Sequence, residues 1–247
     1  ILNAKHRVLV TMGIDPELDM STETSLQQLA DNNDFIIAIS SFDNAFNATH
    51  ADLILPLATY LESSGTFVNV EGFWQSFKGC AKAAGESRQG WKILTSLAQL
   101  LLPGDDLDYT DSTAVRNELK EQCRDLALDN FVSIQSGQNK LPTRPRALQK
   151  VSATAIYAVD AMVRNSAALQ ATVNMRNAGC IRMSTEQAEK LSLMTGTKVH
   201  VKQGEGTAIL PLLIDDNVPA GCVWVPTGLE SVKNLSTLFG SVDVEKV

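Results

Sequence analysis

Phe35-Ile36-Ile37-Ala38-Ile39 is an unbroken apolar run near the start of a 247-residue chain. A strand that is apolar at every position, without alternation, is typical of a parallel sheet covered on both faces. Shorter runs of the same kind stand on either side of it, at Arg7–Thr11 and at Leu53–Leu55. Helical patterns fill the two intervals, and Ser21 or Thr22 can cap the first of them. This alternation predicts an α/β fold with a doubly wound, mostly parallel sheet.

The chain changes character twice after this sheet. Trp91–Leu102 has the apolar spacing of an amphipathic helix, and Thr113–Leu128 is predicted to be a second helix. Ser133–Lys150 is polar and contains two prolines, as expected for a linker or a surface crossing. We therefore expect three parts along the chain: an α/β domain over 1–104, a helical connector and linker over 105–165, and a β-barrel domain over 166–247.

Short strands joined by glycine turns are predicted after Ser166. Apolar runs at 199–201, 208–214 and 223–226 have the length and composition of strands. Ser184, with Gln187 three residues later, has the spacing of a capping box and predicts a short helix. One helix among several short strands favours a small, closed β-barrel.

The charge balance and the apolar pattern disfavour two classes of partner. Lys and Arg number 21 against 28 Asp and Glu, for a net charge of −7, whereas nucleic-acid binding needs a basic surface. No apolar run approaches the roughly 18–20 residues that cross a bilayer, so no direct membrane insertion is expected. The chain does not begin with Met and a predicted strand starts at once, from which we expect it to be part of a longer protein.

The cysteines and histidines do not have the spacing of metal ligands. Cys80, Cys123, Cys180 and Cys222 lie far apart, and the three histidines are equally dispersed. Zinc and iron–sulfur signatures need closely spaced ligands. Free thiols in a reducing compartment are therefore favoured, and no metal ligand is assigned.

Several side chains could be taken for catalytic groups. His50 and Asp52 could belong to a triad, but no serine or cysteine partner is identifiable, and Asp52 is better explained as a carboxylate that bonds backbone groups. Glu62 and Glu71 could form an acid–base pair, although the sequence does not place them at a useful separation. Ser87 lacks the Gly-x-Ser-x-Gly pattern of a nucleophile elbow. No catalytic residue is assigned.

Two further motifs have structural explanations that we favour. Gly204-x-Gly206 lacks the third glycine of a dinucleotide-binding loop and is expected to be a hairpin turn. The acidic segment Asp105–Asp111 lacks the spacing of a calcium loop. We expect it to lead into the following helix, where carboxylates favour the positive end of the dipole. No cofactor-binding residue is assigned either.

The segment that follows the third strand is the most specific in the chain. It matches a pattern of Ala-Asp-x-x-Leu-Pro, then Glu, Gly-Thr, Asn, Glu-Gly-Arg and Gln, at Ala51–Thr59, Glu62, Gly65, Thr66, Asn69, Glu71, Gly72 and Gln75. This pattern resembles the late α/β domain of the molybdopterin oxidoreductase family. Gly85–Arg88 with Trp91, and Gly13–Pro16 after the first strand, are similar to two further motifs of the family.

The second half of the chain is similar to one branch of that family, the large iron–sulfur subunits of respiratory complex I. The matching segments are Ile156–Asp160, Val163-Arg164, Leu169–Thr172 and Leu238–Glu245. The resemblance implies a barrel of the double-psi type, a degenerate form of the domain that binds molybdopterin dinucleotide. It also implies a structural role without a cofactor on this chain, with iron–sulfur clusters in N-terminal domains outside it. Other peripheral-arm subunits are the implied partners, at the cytoplasmic side of a bacterial inner membrane.

One position departs from the family pattern. Phe73 stands where the family has the arginine of Glu-Gly-Arg, and a phenyl ring cannot replace the bidentate bonds of a guanidinium to phosphate. The resemblance places a cleft between Gly13–Pro16 and the segment after Arg164, and we expect it to be filled or poorly basic. Two alternatives stay open: part of an active molybdopterin oxidoreductase such as a formate dehydrogenase, or a free-standing binding module of degenerate fold.

The segment 62–75 carries a structural expectation of its own. Its glycine and polar positions indicate a tightly hydrogen-bonded loop rather than simple sheet. Such a loop would turn Phe67 and Trp74 inward, and Asn69 would bond buried backbone groups.

Overall fold

The computed structural model describes residues 4–20, 26–104, 107–126, 147–235 and 237–247. Over these residues the strands form a three-stranded parallel sheet, a two-stranded hairpin and a closed six-stranded barrel. No helix in the described part of the chain is long and apolar enough to span a bilayer.

The parallel sheet follows the sequence prediction. Its strands are β1 (Leu9–Met12), β2 (Ile36–Ser40) and β3 (Leu53–Pro56), in the order β1-β2-β3. Val10 pairs with Ile37, which pairs with Leu53, and both pairings are parallel. Because the three strands run in the same direction, their carboxyl ends all lie at the same end of the sheet.

Three short helices connect or follow these strands: α1 (Pro16–Asp19), α2 (Leu26–Asp31) and α3 (Ala45–His50). Helix α1 begins with Pro16 behind an Asp15 cap, and Asn44 caps α3 by accepting a hydrogen bond from the amide of Asn47. The core under this part of the sheet is small, with Leu29, Ile36 and Phe46 buried together.

The segment 62–75 is a hairpin, so the predicted non-sheet loop is wrong there. Strands β4 (Gly65–Val68) and β5 (Trp74–Phe77) pair antiparallel, with Thr66 opposite Ser76. Phe67 is 71% exposed and its ring stacks on that of Phe77, with centroids 5.3 Å apart. Positions of this hairpin are exposed or half-buried, so polar residues are tolerated in its strands, which is why the composition was misleading.

Two longer helices follow, α4 (Gly90–Leu101) and α5 (Ser112–Gln122). The predicted amphipathic helix is therefore present at α4, but its apolar residues Leu94, Leu100 and Leu101 are exposed. Asp111 caps α5 through the amides of Thr113 and Ala114, as expected for the end of the acidic segment. The helix ends before the predicted Leu128, and 127–146 lie outside the described residues.

The barrel contains β6 (Leu148–Val151), β7 (Ile181–Met183), β8 (Lys198–Gln203), β9 (Gly206–Ile214), β10 (Cys222–Trp224) and β11 (Gly240–Lys246). They close in the order β10-β6-β11-β8-β9-β7. The first of these strands lies inside the segment that we predicted as connector and linker. The sequence did not predict this strand because a glutamine and a lysine occupy two of its four positions.

The segment between β6 and β10 also contains four short helices. Helices α6 (Ala161–Arg164), α7 (Ala167–Gln170) and α8 (Val173–Arg176) precede β7, and α9 (Thr185–Lys190) follows it. The barrel domain therefore does not begin with β structure at Ser166. Alanine and leucine at 167–169 favour the helix there. The capping box prediction is confirmed, since the Ser184 hydroxyl accepts a hydrogen bond from the amide of Gln187 at the start of α9.

The core of the barrel comes from strict alternation along its strands. In β9 Ala208, Leu210 and Leu212 are buried while the residues between them are exposed. The predicted turn at Gly204-x-Gly206 joins β8 to β9. Gly206 also touches the backbone closely, because a Cβ there would lie 1.9 Å from the carbonyl oxygen of Asn234.

A lysine is buried in this barrel. Lys150 is 2% exposed, and its Nζ donates to the carbonyl oxygen of Thr237 at 2.6 Å and to Oε1 of Gln203 at 3.1 Å. Gln203 in turn donates to Oγ1 of Thr237 and to the carbonyl of Phe239. Burial lowers the pKa of Lys150 to about 8. This network ties β6 and β8 to the segment that enters β11.

Candidate functional site

A cleft of about 400 Å³ opens at the carboxyl end of the parallel sheet. Its walls come from the segments that follow β1, β2 and β3, at 12–15, 40–44 and 57–60, and from 160–165 at α6. Ligands of open α/β sheets bind at this edge, because the loops that follow parallel strands meet there. The predicted cleft between Gly13–Pro16 and the segment around Arg164 is therefore present.

Much of the lining of the cleft is apolar. Met12, Ile14, Leu57 and Met162 line it, together with the aromatic rings of Phe42, Tyr60 and Phe77. Gly90, at the start of α4, lets the Met12 side chain lie where it does, because a Cβ there would come within 2.1 Å of its Cε.

The charged groups of the cleft are all acidic. Asp15, Asp43 and Asp160 line it, and no lysine, arginine or histidine is among the described lining residues. Asp15 Oδ1 accepts a hydrogen bond from the amide of Glu17 at 3.1 Å, and Asp160 Oδ1 accepts one from the amide of Val163 at 3.0 Å. Burial raises the pKa of the Asp15 carboxyl, against the opposing effects of the Glu17 amide and the Arg164 charge.

Helix α1 fixes one wall of this acidic cleft to the second half of the chain. Asp19 Oδ1 pairs with Nη1 of Arg164 at 2.7 Å, and the Arg164 side chain is only 10% exposed. The same Nη1 donates to the carbonyl oxygen of Ala158 at 3.0 Å. Glu17 pairs with Lys233 at 3.0 Å. The four-residue helix is thus held by two ion pairs to residues more than 140 positions away.

Glu62 organises the loop beside the cleft. Its Oε2 accepts from the amide and the hydroxyl of Thr59, and its Oε1 accepts from the amide of Ala84. The Thr59 amide is the main reason why the pKa of Glu62 is lowered. Glu71 lies in the exposed hairpin turn, where it bonds Asn69. Each carboxylate has local structural partners, which does not suit an acid–base pair.

His50 and Asp52 have separate partners. The His50 ring packs against Phe46, with centroids 5.0 Å apart. Asp52 Oδ2 accepts a hydrogen bond from the amide of Ile36 at 2.7 Å. The prediction that Asp52 satisfies backbone groups beside the strand is confirmed.

The remaining candidates are also structural. The Ser87 hydroxyl donates to the carbonyl of Ala84 within a turn. All four cysteines are free thiols. Within the described residues, no group of three His, Cys, Asp or Glu side chains could hold a metal ion. Phe73, which departs from the family pattern, is 62% exposed on the hairpin and does not line the acidic cleft.

Comparison with known proteins identifies the class to which these two regions belong. Residues 2–100 match the molybdopterin oxidoreductase family, and residues 149–244 match the molydopterin dinucleotide binding domain. Acetylene hydratase from Pelobacter acetylenicus shares the fold, with a TM-score of 0.64 at 13% identity over 98% of this chain and 44% of its own. Two separate parts of the chain thus match domain models of the molybdopterin oxidoreductase family. The predicted α/β sheet followed by a barrel is confirmed.

Its relatives include both enzymes and complex I subunits. The assimilatory nitrate reductase catalytic subunit of Bacillus subtilis is 38% identical over 36% of this chain and 12% of its own length. A provisionally named formate dehydrogenase of Staphylococcus aureus is 33% identical over 45% of this chain and 11% of its own. The mitochondrial 78 kDa subunit of NADH-ubiquinone oxidoreductase from Candida albicans is 35% identical over 36% of this chain and 12% of its own. The matched region is thus a small part of each relative.

The acidic cleft does not fit the dinucleotide that this family of domains implies. A molybdopterin dinucleotide carries several phosphate charges, which need cations or free amide groups. The described lining residues supply three carboxylates and no cation. These residues would repel the phosphates rather than hold them.

Sequence reasoning missed two parts of this site. Asp43 stands in a loop without a motif and Asp160 caps α6, and their convergence depends on how the second half of the chain packs against the sheet. The pairing of Asp19 with Arg164 spans 145 residues, so no local signal could have shown it.

Proposed function

We propose that this chain is a structural, non-catalytic region of the large iron–sulfur subunit of NADH:quinone oxidoreductase, the 75 kDa-type subunit of complex I. In this role it scaffolds the peripheral arm that carries electrons from NADH to quinone. Its partners are the neighbouring subunits of that arm, at the cytoplasmic side of a bacterial inner membrane. The chain itself carries no cofactor, and the iron–sulfur clusters of the full subunit belong to its N-terminal domains.

One observation carries this proposal, the acidic lining of the cleft. An enzyme of the family would need to hold a polyanionic cofactor at this edge of the sheet. Asp15, Asp43 and Asp160 make that position unfavourable for phosphate, whereas a scaffold has no such requirement. The similarity to a complex I subunit from Candida albicans supports the choice of branch.

Isolation of the native assembly tests the proposal. The chain, carrying an affinity tag at its C-terminus in the source cells, is purified with its partners and assayed for metals and for NADH-to-quinone electron transfer. We expect iron and NADH:quinone activity, with no stoichiometric molybdenum or tungsten. One molybdenum or tungsten atom per chain would refute the proposal.

The second candidate is part of an active molybdopterin oxidoreductase, such as a formate dehydrogenase. The similarity to the nitrate reductase catalytic subunit, at 38% identity, favours it. The same preparation separates the two candidates, because the second requires the pterin cofactor and activity with its own substrate in place of NADH:quinone activity.

A further inference from the structure

The acidic cleft has the position and the size of a small-molecule site. It lies outside the carboxyl ends of three parallel strands, where the loops after each strand converge. Its volume of about 400 Å³ lies at the lower end of the range for ligand pockets. A single ring with a short substituent matches that volume better than a dinucleotide does.

The negative charge of the cleft favours a positively charged ligand. The three carboxylates in its lining are not neutralised by any described lining residue. Asp15 and Asp160 each accept one backbone hydrogen bond, and no hydrogen bond from a described residue reaches the carboxylate of Asp43. Arg164, the nearby positive charge, is paired with Asp19 and does not line the cleft. Burial of Asp15 makes its charge costly without a partner, so a bound cation would relieve that cost.

The apolar part of the lining favours a ligand with an aromatic or alkyl body in addition to its charge. Phe42, Tyr60 and Phe77 bring three aromatic rings to the cleft, and Met12 and Met162 bring flexible thioethers. Aromatic rings attract both flat apolar groups and cations, and methionine adapts to irregular shapes.

We infer that the acidic cleft binds a small amphipathic organic cation, with an aromatic or alkyl body and an amidinium, guanidinium or ammonium head. The body lies among the aromatic and methionine side chains, and the head faces the carboxylates of Asp15, Asp43 and Asp160. The inference rests on the proposed function in one respect, since that function leaves the cleft free of a dinucleotide.

A series of three ligands with the same ring and different charge tests this inference. Benzamidinium, benzamide and benzoate are titrated into the full 247-residue chain by calorimetry at physiological salt. We expect benzamidinium to bind about tenfold more tightly than benzamide, and benzoate not to bind. Equal affinity for all three, or no binding of benzamidinium to the folded chain, would overturn the inference.

A variant with a matched control locates the site. Asp43→Asn should weaken benzamidinium about three- to tenfold and leave benzamide unchanged, since it removes one exposed carboxylate charge from the cleft. Asp108→Asn removes an equally exposed charge that does not line the cleft, and should change neither ligand. Equal losses of benzamidinium affinity in both variants would mean that the ligand is attracted only by the net negative charge of the chain, and would refute a defined site. Thermal unfolding of each variant verifies that the fold is kept.

Guanosine diphosphate separates this inference from the proposed function. If it binds more tightly than benzamidinium and competes with it, the cleft accepts a nucleotide and both statements fail. If neither binds, the cation inference fails and the scaffold role of the chain is untouched.

Discussion

The strands of the parallel sheet are more apolar than those of the barrel, but only the barrel closes around a core of its own. In the described residues the barrel cluster buries fifteen apolar side chains, and the cluster beside the sheet buries three. Along β1 the exposed fractions of Val10 and Met12 are 47% and 40%, and Leu53 of β3 is 39% exposed. Parallel sheets in known folds are covered on both faces.

This difference shows that closure of a sheet into a barrel, rather than the apolar content of its strands, lets a region bury a core of its own. The barrel has no free edge strand, so every strand is paired on two sides. The sheet has two edge strands, β1 and β3, and two ion pairs join the helix after β1 to the second half of the chain. Mutations should therefore lower the free energy of unfolding strongly in the barrel core and weakly on the sheet face. Mutations of the ion pairs should have intermediate effects.

The largest effect is expected in the barrel core. Leu210 is 1% exposed, and Leu210→Ala should lower the free energy of unfolding by about 3–4 kcal/mol, since it leaves a cavity in a closed core. Val10→Ala on the open sheet face is the control and should cost less than about 1 kcal/mol. Both values come from urea unfolding. Equal losses would contradict the contrast between the two regions.

The buried Lys150 should make the stability of the barrel depend on pH. Its pKa is about 8 in the folded chain against 10.5 in an unfolded one, so the unfolded state binds more protons between these values. Stability should therefore rise with pH across that window. Compared with Lys150→Met, the native chain should gain on the order of 2–3 kcal/mol between pH 8 and pH 10.5.

Unfolding of both proteins at a series of pH values measures this gain. Groups that titrate elsewhere contribute equally to both proteins, so the difference isolates Lys150. A difference that stays constant from about pH 7 to pH 10.5 would show that the lysine is not desolvated in the barrel.

The ion pair of Asp19 with Arg164 should couple the sheet to the second half of the chain. A double-mutant cycle with Asp19→Asn and Arg164→Gln should give a coupling energy of about 1–2 kcal/mol, because the guanidinium is largely buried. The pair of Glu17 with Lys233 is more exposed on its lysine side and should give about 0.5 kcal/mol. No coupling in the first cycle would mean that the sheet does not depend on this contact.

Beside the sheet, Asp52 should contribute more to stability than Asp34, because its carboxylate accepts a hydrogen bond from a backbone amide of β2. Asp52→Ala removes the acceptor of the Ile36 amide and should cost about 1–1.5 kcal/mol. Asp34→Ala is the control, since its ion pair with Lys5 is more than half exposed and should contribute less than about 0.5 kcal/mol. Thermal unfolding of both variants gives the values. A smaller loss for Asp52 than for Asp34 would contradict the bond between β2 and the start of β3.

The elements that the sequence predicted well are those whose signal is local. The apolar run of β2, the acidic lead into α5, the cap at Ser184 and the turn at Gly204 all depend on neighbouring residues. The backbone role of Asp52 was also predictable, because a carboxylate beside the start of a strand has free amides nearby.

The elements that the sequence did not predict depend on contacts over long separations. Strand β6 carries Lys150 inward, and only the acceptors on β8 and beyond make that position tolerable. The exposure of Phe67 depends on what covers the hairpin, which composition does not tell. The acidic lining of the cleft likewise joins residues from both halves of the chain.

The smallest effect is expected at Asn69, in the turn of the hairpin. Its Oδ1 accepts hydrogen bonds from the amides of Glu71 and Phe73 at 3.0 and 2.9 Å, but the turn is exposed. Water can replace these bonds, so Asn69→Ala should cost only about 0.5 kcal/mol, less than the roughly 1–3 kcal/mol expected for buried groups. Asn69→Asp combined with Glu71→Gln keeps the acceptor without placing two carboxylates side by side, and is the control with no loss expected. If Asn69→Ala cost about 2 kcal/mol or more in thermal unfolding, the turn would have to be buried against another surface. The hairpin would then belong with the barrel, as a region with its own packed contacts, rather than with the open sheet.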